Sequence, residues 1–260
     1  MKGPKMLKIG GSVITEKDKD EPSPDIQNME RVAEEISKGL EDSTGLVLIH
    51  GAGSYGHPIV KRTEIHKGLE TDEDKVNFAK TQRLQNELNS IFTQKLIEED
   101  LPAFPVQASA SAVMDDRLKK MNVEVVRKLV GIGVIPVLYG VPAYDENKGC
   151  SILSGDEIMP YLADRLGVDT VLHGTNVDGI YTSDPRKSED AELIRKLESW
   201  EQVEEYLGDS KDTDVTGGML NKVKKIMDVG VRGRIFDVSE EGNLEKVLRG
   251  EDIGTLVEGD

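Results

Sequence analysis

The feature that most restricts how this chain can fold is an alternation of short, continuously apolar runs with longer amphipathic ones. "KMLKIG" at 5–10, "GLVLIH" at 45–50, "AFPV" at 103–106, "GVIPVLY" at 133–139, "DTVLHG" at 169–174 and "GRIFDV" at 233–238 read as buried strands. Helical patterns lie between most of them. "MERVAEEISKGL" at 29–40 is amphipathic, and Thr71 with Asp74 predicts a capping box for a long helix reaching about Asp100. Along that helix Val76, Leu84, Leu88, Ile91, Phe92 and Leu96 recur near helical spacing. A strand apolar at consecutive positions must be covered on both faces, as in a parallel sheet between helices. The expected class is therefore α/β with a largely parallel central sheet.

At 260 residues the chain can bury a full core, as one large domain or two lobes. No repeat, low-complexity segment or flexible linker divides it. The polar turn "YDENKG" at 144–149 reads as a hairpin tip, and the expected organisation is a single domain, 1–260, with approximate lobes 1–147 and 148–260. One local conflict stands out. Ser154 and Glu157 would cap a helix beginning at Gly155, yet Pro160 falls inside it. An interior proline costs about 3 kcal/mol, so the helix should kink there or start later.

Charge removes several partner classes. The formal net charge is −16, from 49 acidic and 33 basic residues, so the surface repels nucleic acid and anionic membrane. A small phosphate ligand is not excluded, because a few lysines and backbone dipoles can dominate inside a pocket. The longest apolar run, "GIGVIPVLYGVP" at 131–142, is too short to span a bilayer, and the N-terminus shows no leader pattern. The single cysteine, Cys150, permits no internal disulfide and fits a reducing cytoplasm, the expected location. It reads as a small partly buried hydrophobe.

The strand at 45–50 runs into "HGAGSYGHP", where Gly51, Gly53 and Gly56 have the spacing G-x-G-x-x-G. A dinucleotide site would need a helix opening at the third glycine, a second strand, and an acid about 20 positions on. Pro58 sits too early for an uninterrupted helix start, no apolar strand follows, and Glu70, Asp72, Glu73 and Asp74 lie in a polar stretch. What remains is a glycine turn that brings backbone N–H groups near an anion. It is one of three such loops. "LKIGGSVITEK" sets Gly10, Gly11 and Ser12 after the first strand, with Lys8 on the strand and Lys17 beyond the loop. "TDVTGGMLNK" sets Gly217 and Gly218 before a helix, with Lys222 in its first turns. No G-x-x-x-x-G-K-[ST] motif occurs. A parallel α/β sheet gathers such loops at the carboxyl ends of its strands. Anions facing each other across glycine loops, with lysines between them, suit phosphoryl transfer, which needs alignment and positive charge more than covalent help.

The ordered pieces "LKIGGSVIT", "HGAGSYGH", "SGDE", "GTNVDGIYTSDP" and "DVTGGM" resemble the amino acid kinase superfamily and, more closely, its archaeal-type isopentenyl phosphate kinase family. The resemblance runs from Lys5 to about Val257. It implies a three-layer αβα sandwich, a homodimer, and ATP-dependent phosphorylation of isopentenyl phosphate with Mg²⁺ bridging the ATP phosphates. It also implies roles. Lys8 and Lys17 would steady the migrating phosphoryl group, and Gly10, Gly11 and Ser12 would give N–H groups to ATP. Ala52 and Gly53 would line the junction of donor and acceptor, and His57 would hold the acceptor phosphate. Gly155 would approach the acceptor, and Asp156 would organise the lysines. Asp178 would border the nucleotide, Gly217 and Lys222 would complete the ATP site, and Phe78 would line the isoprenoid tail pocket.

Fosfomycin kinases share the His57 signature and are the nearest alternative; a nucleotide sensor that kept the fold is the alternative from another class. Two positions depart from the family pattern, Asn176 and Val141, where Asp is common. His50 reads as a satisfied strand-end residue, and His66 and His173 as non-functional. No histidine or cysteine cluster suggests a protein-bound metal, so Mg²⁺ should arrive with the nucleotide. An α-carboxylate acceptor would favour a bidentate arginine, which the acceptor-side motifs lack.

Overall fold

The structure, a computed structural model, describes residues 3–16, 21–40, 45–183, 188, 190–207, 216–228 and 230–258. In chain order the strands are β1 (Lys5–Ile9), β2 (Leu46–His50), β3 (Ala103–Pro105), β4 (Ala112–Asp115), β5 (Arg117–Met121), β6 (Ile135–Tyr139), β7 (Val141–Ala143), β8 (Ser151–Leu153), β9 (Thr170–Thr175), β10 (Ile180–Tyr181), β11 (Leu193–Ile194), β12 (Lys196–Leu197), β13 (Arg232–Asp237) and β14 (Thr255–Val257). One eight-stranded sheet has the order β12-β14-β13-β9-β1-β2-β6-β3, and β4-β5, β7-β8 and β10-β11 are separate antiparallel pairs. Within the large sheet only β13 and β14 run antiparallel. The helices are α1 (Gly11–Ile14), α2 (Ile26–Gly39), α3 (His57–Thr63), α4 (Asp72–Glu98), α5 (Glu124–Gly131), α6 (Gly155–Leu166), α7 (Trp200–Leu207), α8 (Thr216–Met227) and α9 (Asn243–Leu248).

Strand parity builds three layers. Met6, Val47, Ile49, Val171 and Ile235 join one apolar cluster with Val126 of α5, Ile158 and Leu162 of α6, Val203 of α7 and Ile226 of α8. Leu7, Ile9, Leu46, Leu48, Leu172 and Phe236 join the other with Val32 and Ile36 of α2, Leu88 and Phe92 of α4 and Leu244 of α9. Successive side chains leave opposite faces of a strand, so an all-apolar strand feeds both cores. The sheet also divides by chain order: β3, β6, β2 and β1 precede residue 147, and β9, β13, β14 and β12 follow it.

Several expectations are corrected in detail. The "AFPV" strand is not buried: β3 is the sheet edge, with Phe104 49% exposed. Val76 lies off the packed face of α4 and is exposed. A helix does open at the third glycine, because Pro58 occupies the first turn of α3, where the missing N–H has no intrahelical partner to lose. The dinucleotide pattern still fails, since α3 leads into α4 and not into a strand. α6 begins at Gly155 with Pro160 inside it, and Ser154 makes no side-chain cap bond to the helix backbone. The capping box of Thr71 and Asp74 forms, and α4 ends at Glu98. The turn after Ala143 is the tip of the β7-β8 hairpin.

Candidate active site

Four central strands, β9, β1, β2 and β6, end beside one another, and residues at those ends are tied by backbone hydrogen bonds. The Gly10 N–H donates to the Gly174 carbonyl at 2.9 Å, the Gly51 N–H to Ile9 at 3.0 Å, and the Gly140 N–H to His50 at 3.0 Å. The first two glycine turns meet backbone to backbone. A Cβ on Gly11 would overlap the Gly53 amide nitrogen and lie 2.8 Å from Gly53 Cα and 2.9 Å from the Gly51 carbonyl carbon. Gly53 has φ +50°. These glycines are there because no side chain fits between the turns. Gly11, Ser12, Thr15, Gly53, Ser54, His57 and Pro58 line a cavity of about 310 Å³ at this junction. His57, exposed at the start of α3, stands on its rim.

On the other side of β1, parity turns Lys8 towards α6, the same face as Met6. Lys8 Nζ lies 2.7 Å from Asp156 Oδ1, while Lys222 Nζ lies 3.9 Å and His173 Nδ1 3.8 Å from that oxygen. Gly155 lets the Lys8 stem pass, since its Cβ would lie 3.0 Å from Lys8 Cε. Burial opposes ionisation of Asp156, but Lys8, Lys222 and His173, with the Lys8 hydrogen bond, outweigh it and hold the carboxyl well below its usual range. Burial pushes the Lys222 ammonium pKa down, against the attraction of Asp156. Burial likewise takes His173 down to about 3, so its imidazole is neutral. The result is two lysines fixed by one carboxylate at the carboxyl end of the sheet.

The remaining predicted residues are dispersed around this centre. Gly10, Gly11, Ser12, Ala52 and Gly53 form the paired turns, and Gly217 is in the first turn of α8, five residues before Lys222, which reaches the cluster. Asp178 is exposed and accepts the Tyr181 hydroxyl at 2.7 Å. Phe78 is half-buried on α4 and does not line the cavity. Lys17 lies outside the described residues. His50 is fully buried, and desolvation lowers its pKa against its hydrogen bonds with the Gly51 carbonyl at 2.9 Å and the Asn89 amide at 3.0 Å. His66 is exposed. Cys150 is buried, and burial pushes its thiol up to about 12. Val141 is buried in β7, and Asn176 is exposed after β9.

The sequence reading set His173 aside as non-functional and did not single out Thr15, and both stand at this centre. His173 was legible in principle: it sits two residues from Val171 on the face of β9 that neighbours Lys8, its partner in register. Thr15 had no such signal, because its contact with Ser54 depends on the second turn.

The Asp156 cluster predicts a pH signature. An ionised carboxylate with a depressed folded pKa stabilises the fold above its ordinary value of 3.8, and that contribution is lost as pH falls through the depressed value. Asp156→Asn should therefore flatten the acid limb of thermal stability below about pH 4. It should also move the alkaline limb of activity to lower pH, because Lys222 loses the anion that keeps it protonated. Melts and kcat–pH profiles of the variant check both; parallel curves for variant and wild type would remove the cluster from the titration.

The profile of the amino acid kinase family matches residues 5–236, and the chain belongs to that family. The isopentenyl phosphate kinase of Methanothermobacter thermautotrophicus is 37% identical over 98% of both chains. That of Methanocaldococcus jannaschii is 34% identical over 97% of this chain and 98% of its own. A solved structure of isopentenyl phosphate kinase superposes with TM-score 0.84 at 33% identity, covering 97% of this chain and 98% of that one. Within the amino acid kinases, these end-to-end matches put the chain among the isopentenyl phosphate kinases.

Proposed function

We propose that this chain transfers the γ-phosphoryl group of ATP to isopentenyl phosphate, yielding isopentenyl diphosphate and ADP. The observation that carries the reading is the contact of the two glycine turns, with the Lys8–Asp156–Lys222 cluster behind them and His57 on the cavity rim. Gly10, Gly11 and Ser12 take the donor phosphates, and Ala52, Gly53 and His57 take the acceptor phosphate. An oxygen of the acceptor phosphate forms the new bond to the γ-phosphorus as the bond to the bridging oxygen of ADP breaks. The monoester is largely a dianion at neutral pH, so its oxygen needs no protein base. That fits a site whose one described carboxylate at the centre, Asp156, is engaged by Lys8. Lys8, Lys222 and, from outside the described residues, Lys17 offset the charge on the migrating group. Gly155 and Phe78 serve the acceptor side, and Asp178 and Gly217 the nucleotide side; the two lobes at 1–147 and 148–260 follow the same division.

Mg²⁺ fits as a companion of the nucleotide. Among the described residues no group of three or more His, Cys, Asp or Glu side chains could hold a metal ion. The ion, when bound on the phosphates, neutralises their charge. No described helix is long and apolar enough to cross a membrane, and catalysis in the cytoplasm is part of the proposal.

An ADP-release assay with isopentenyl phosphate, fosfomycin, UMP and glutamate tests the reading. Preference for isopentenyl phosphate is expected; preference for another acceptor would reassign the substrate. For His57, loss of one charge-assisted hydrogen bond is worth about 1.5–3 kcal/mol, roughly tenfold to a hundredfold or more in kcat/KM. His57→Ala should raise the acceptor KM and leave that for ATP nearly unchanged, while His57→Gln keeps a donor and part of the activity. A raised ATP KM with an unchanged acceptor KM would reverse the two half-sites.

A homodimer is also proposed, formed across the edge strand β3. That edge carries the exposed Phe104, and it packs beside α4, which exposes Ile97. Size-exclusion chromatography with light scattering should give twice the chain mass, and Phe104→Glu should shift it towards monomer. A monomeric wild type at micromolar concentration would end the proposal.

A further inference from the structure

We infer that Thr15 is a positioning residue for phosphoryl transfer, setting the separation of the two glycine turns and so of the two phosphates they hold. The inference rests on the kinase reading above and concerns a residue to which that reading gave no role. Thr15 leaves α1 in an extended conformation, is 2% exposed, and lines the cavity at the junction. Its hydroxyl donates to the Gly11 carbonyl at 2.8 Å and accepts the Ser54 N–H at 3.1 Å. One hydroxyl thus spans the turn after β1 and the turn after β2. The space it needs is the reason Gly53 has no side chain, since a Cβ there would overlap Thr15 Oγ1.

The clasp extends one residue further on each side. Ser54 Oγ donates to the Ser23 carbonyl at 3.3 Å and accepts the Ser23 N–H at 3.2 Å. Thr15 also bridges Pro24 backbone to backbone. The two ends of the 15–24 segment, in which Lys17 lies by sequence, are therefore fastened to the same turn residue. A side chain that only capped α1 would need the Gly11 bond alone. The second bond, to the opposite turn, has no local purpose and fixes the distance between the half-sites. Transfer between two bound phosphates is sensitive to that distance: a shift of about 1 Å can cost on the order of a hundredfold in rate.

Thr15→Val keeps the shape and removes both hydrogen bonds, whereas Thr15→Ser keeps the hydroxyl. The valine variant should lose about tenfold to a hundredfold in kcat with isopentenyl phosphate and ATP, with both KM values within about threefold of wild type. The serine variant should stay within about threefold in kcat. Equal losses in both variants, a wild-type kcat in the valine variant, or a raised KM with unchanged kcat would each overturn the inference. A measurement independent of folding variants uses the wild-type protein. Amide hydrogen exchange at Ser54 should slow when a non-hydrolysable ATP analogue occupies the first turn, and unchanged exchange with the analogue bound would overturn the clasp. If wild-type enzyme turns over another acceptor instead, the substrate reading fails while the Ser54 exchange still decides the role of Thr15.

Discussion

Lys8→Met should lower kcat on the order of 10²–10³-fold, the usual consequence of removing one preorganised charge from a transition state. Methionine preserves the apolar stem that passes Gly155, so the loss isolates the ammonium. The same variant strands Asp156. Breaking a fully buried ion pair costs about 3–5 kcal/mol, but the Asp156 side chain is 27% exposed and Lys222 remains 3.9 Å away, so the stability loss belongs at or below that lower bound. Adding Asp156→Asn to Lys8→Met should recover part of the melting temperature and none of the rate. Steady-state kinetics and thermal melts of the single and double variants check this. If Lys8→Met changed only the KM for ATP, Lys8 would be a ground-state contact and the transfer charge would reside elsewhere.

Gly11→Ala should be as damaging by a different route. The new methyl would overlap the amide of Gly53 and crowd the Gly51 carbonyl carbon, both of them backbone, so no side chain can move aside. The turns must part by about an ångström, which predicts roughly a hundredfold loss in kcat/KM and about 1–3 kcal/mol of overpacking strain. Gly131→Ala is the matched control. Gly131 ends α5, and its Cβ would meet nothing within 4 Å, so that change should leave activity intact and stability equal or higher by less than about 1 kcal/mol. Parallel kinetics and melts decide it. A Gly11→Ala enzyme with wild-type kcat/KM would mean that the contact between turns does not set the reacting geometry.

Much of this architecture was readable from local pattern. The runs at 5–10, 45–50 and 169–174 were strands because continuous apolar residues have only one covered arrangement in an α/β chain. The box of Thr71 and Asp74 started α4 because both hydrogen bonds it needs are made within one turn. The glycine spacing at 51–56 marked a close-packed turn because side-chain-free positions are rarely clustered otherwise. Where local reading failed, a neighbour distant in sequence decided the outcome. "AFPV" has the composition of a buried strand, but its place at the sheet edge leaves Phe104 in solvent. Pro58 looked like a breaker until its position in the first turn of α3 was fixed by the end of the preceding turn.

By itself, then, the sequence determined the class of fold, the glycine turns that follow the strands and the order of the loops, because propensity, strand parity and glycine freedom act within a few residues. The tertiary structure decided which groups meet. Lys8 and Asp156 are 148 positions apart, and Thr15 and Ser54 are 39 apart, yet each pair is within hydrogen-bond distance. The pairing of β1 with β9 brings His173 beside Lys8, and the packing of α6 under β1 and β2 sets Asp156 against it. Such contacts are fixed by burying the two apolar faces of a single sheet, a property of the whole chain that no short stretch of it carries.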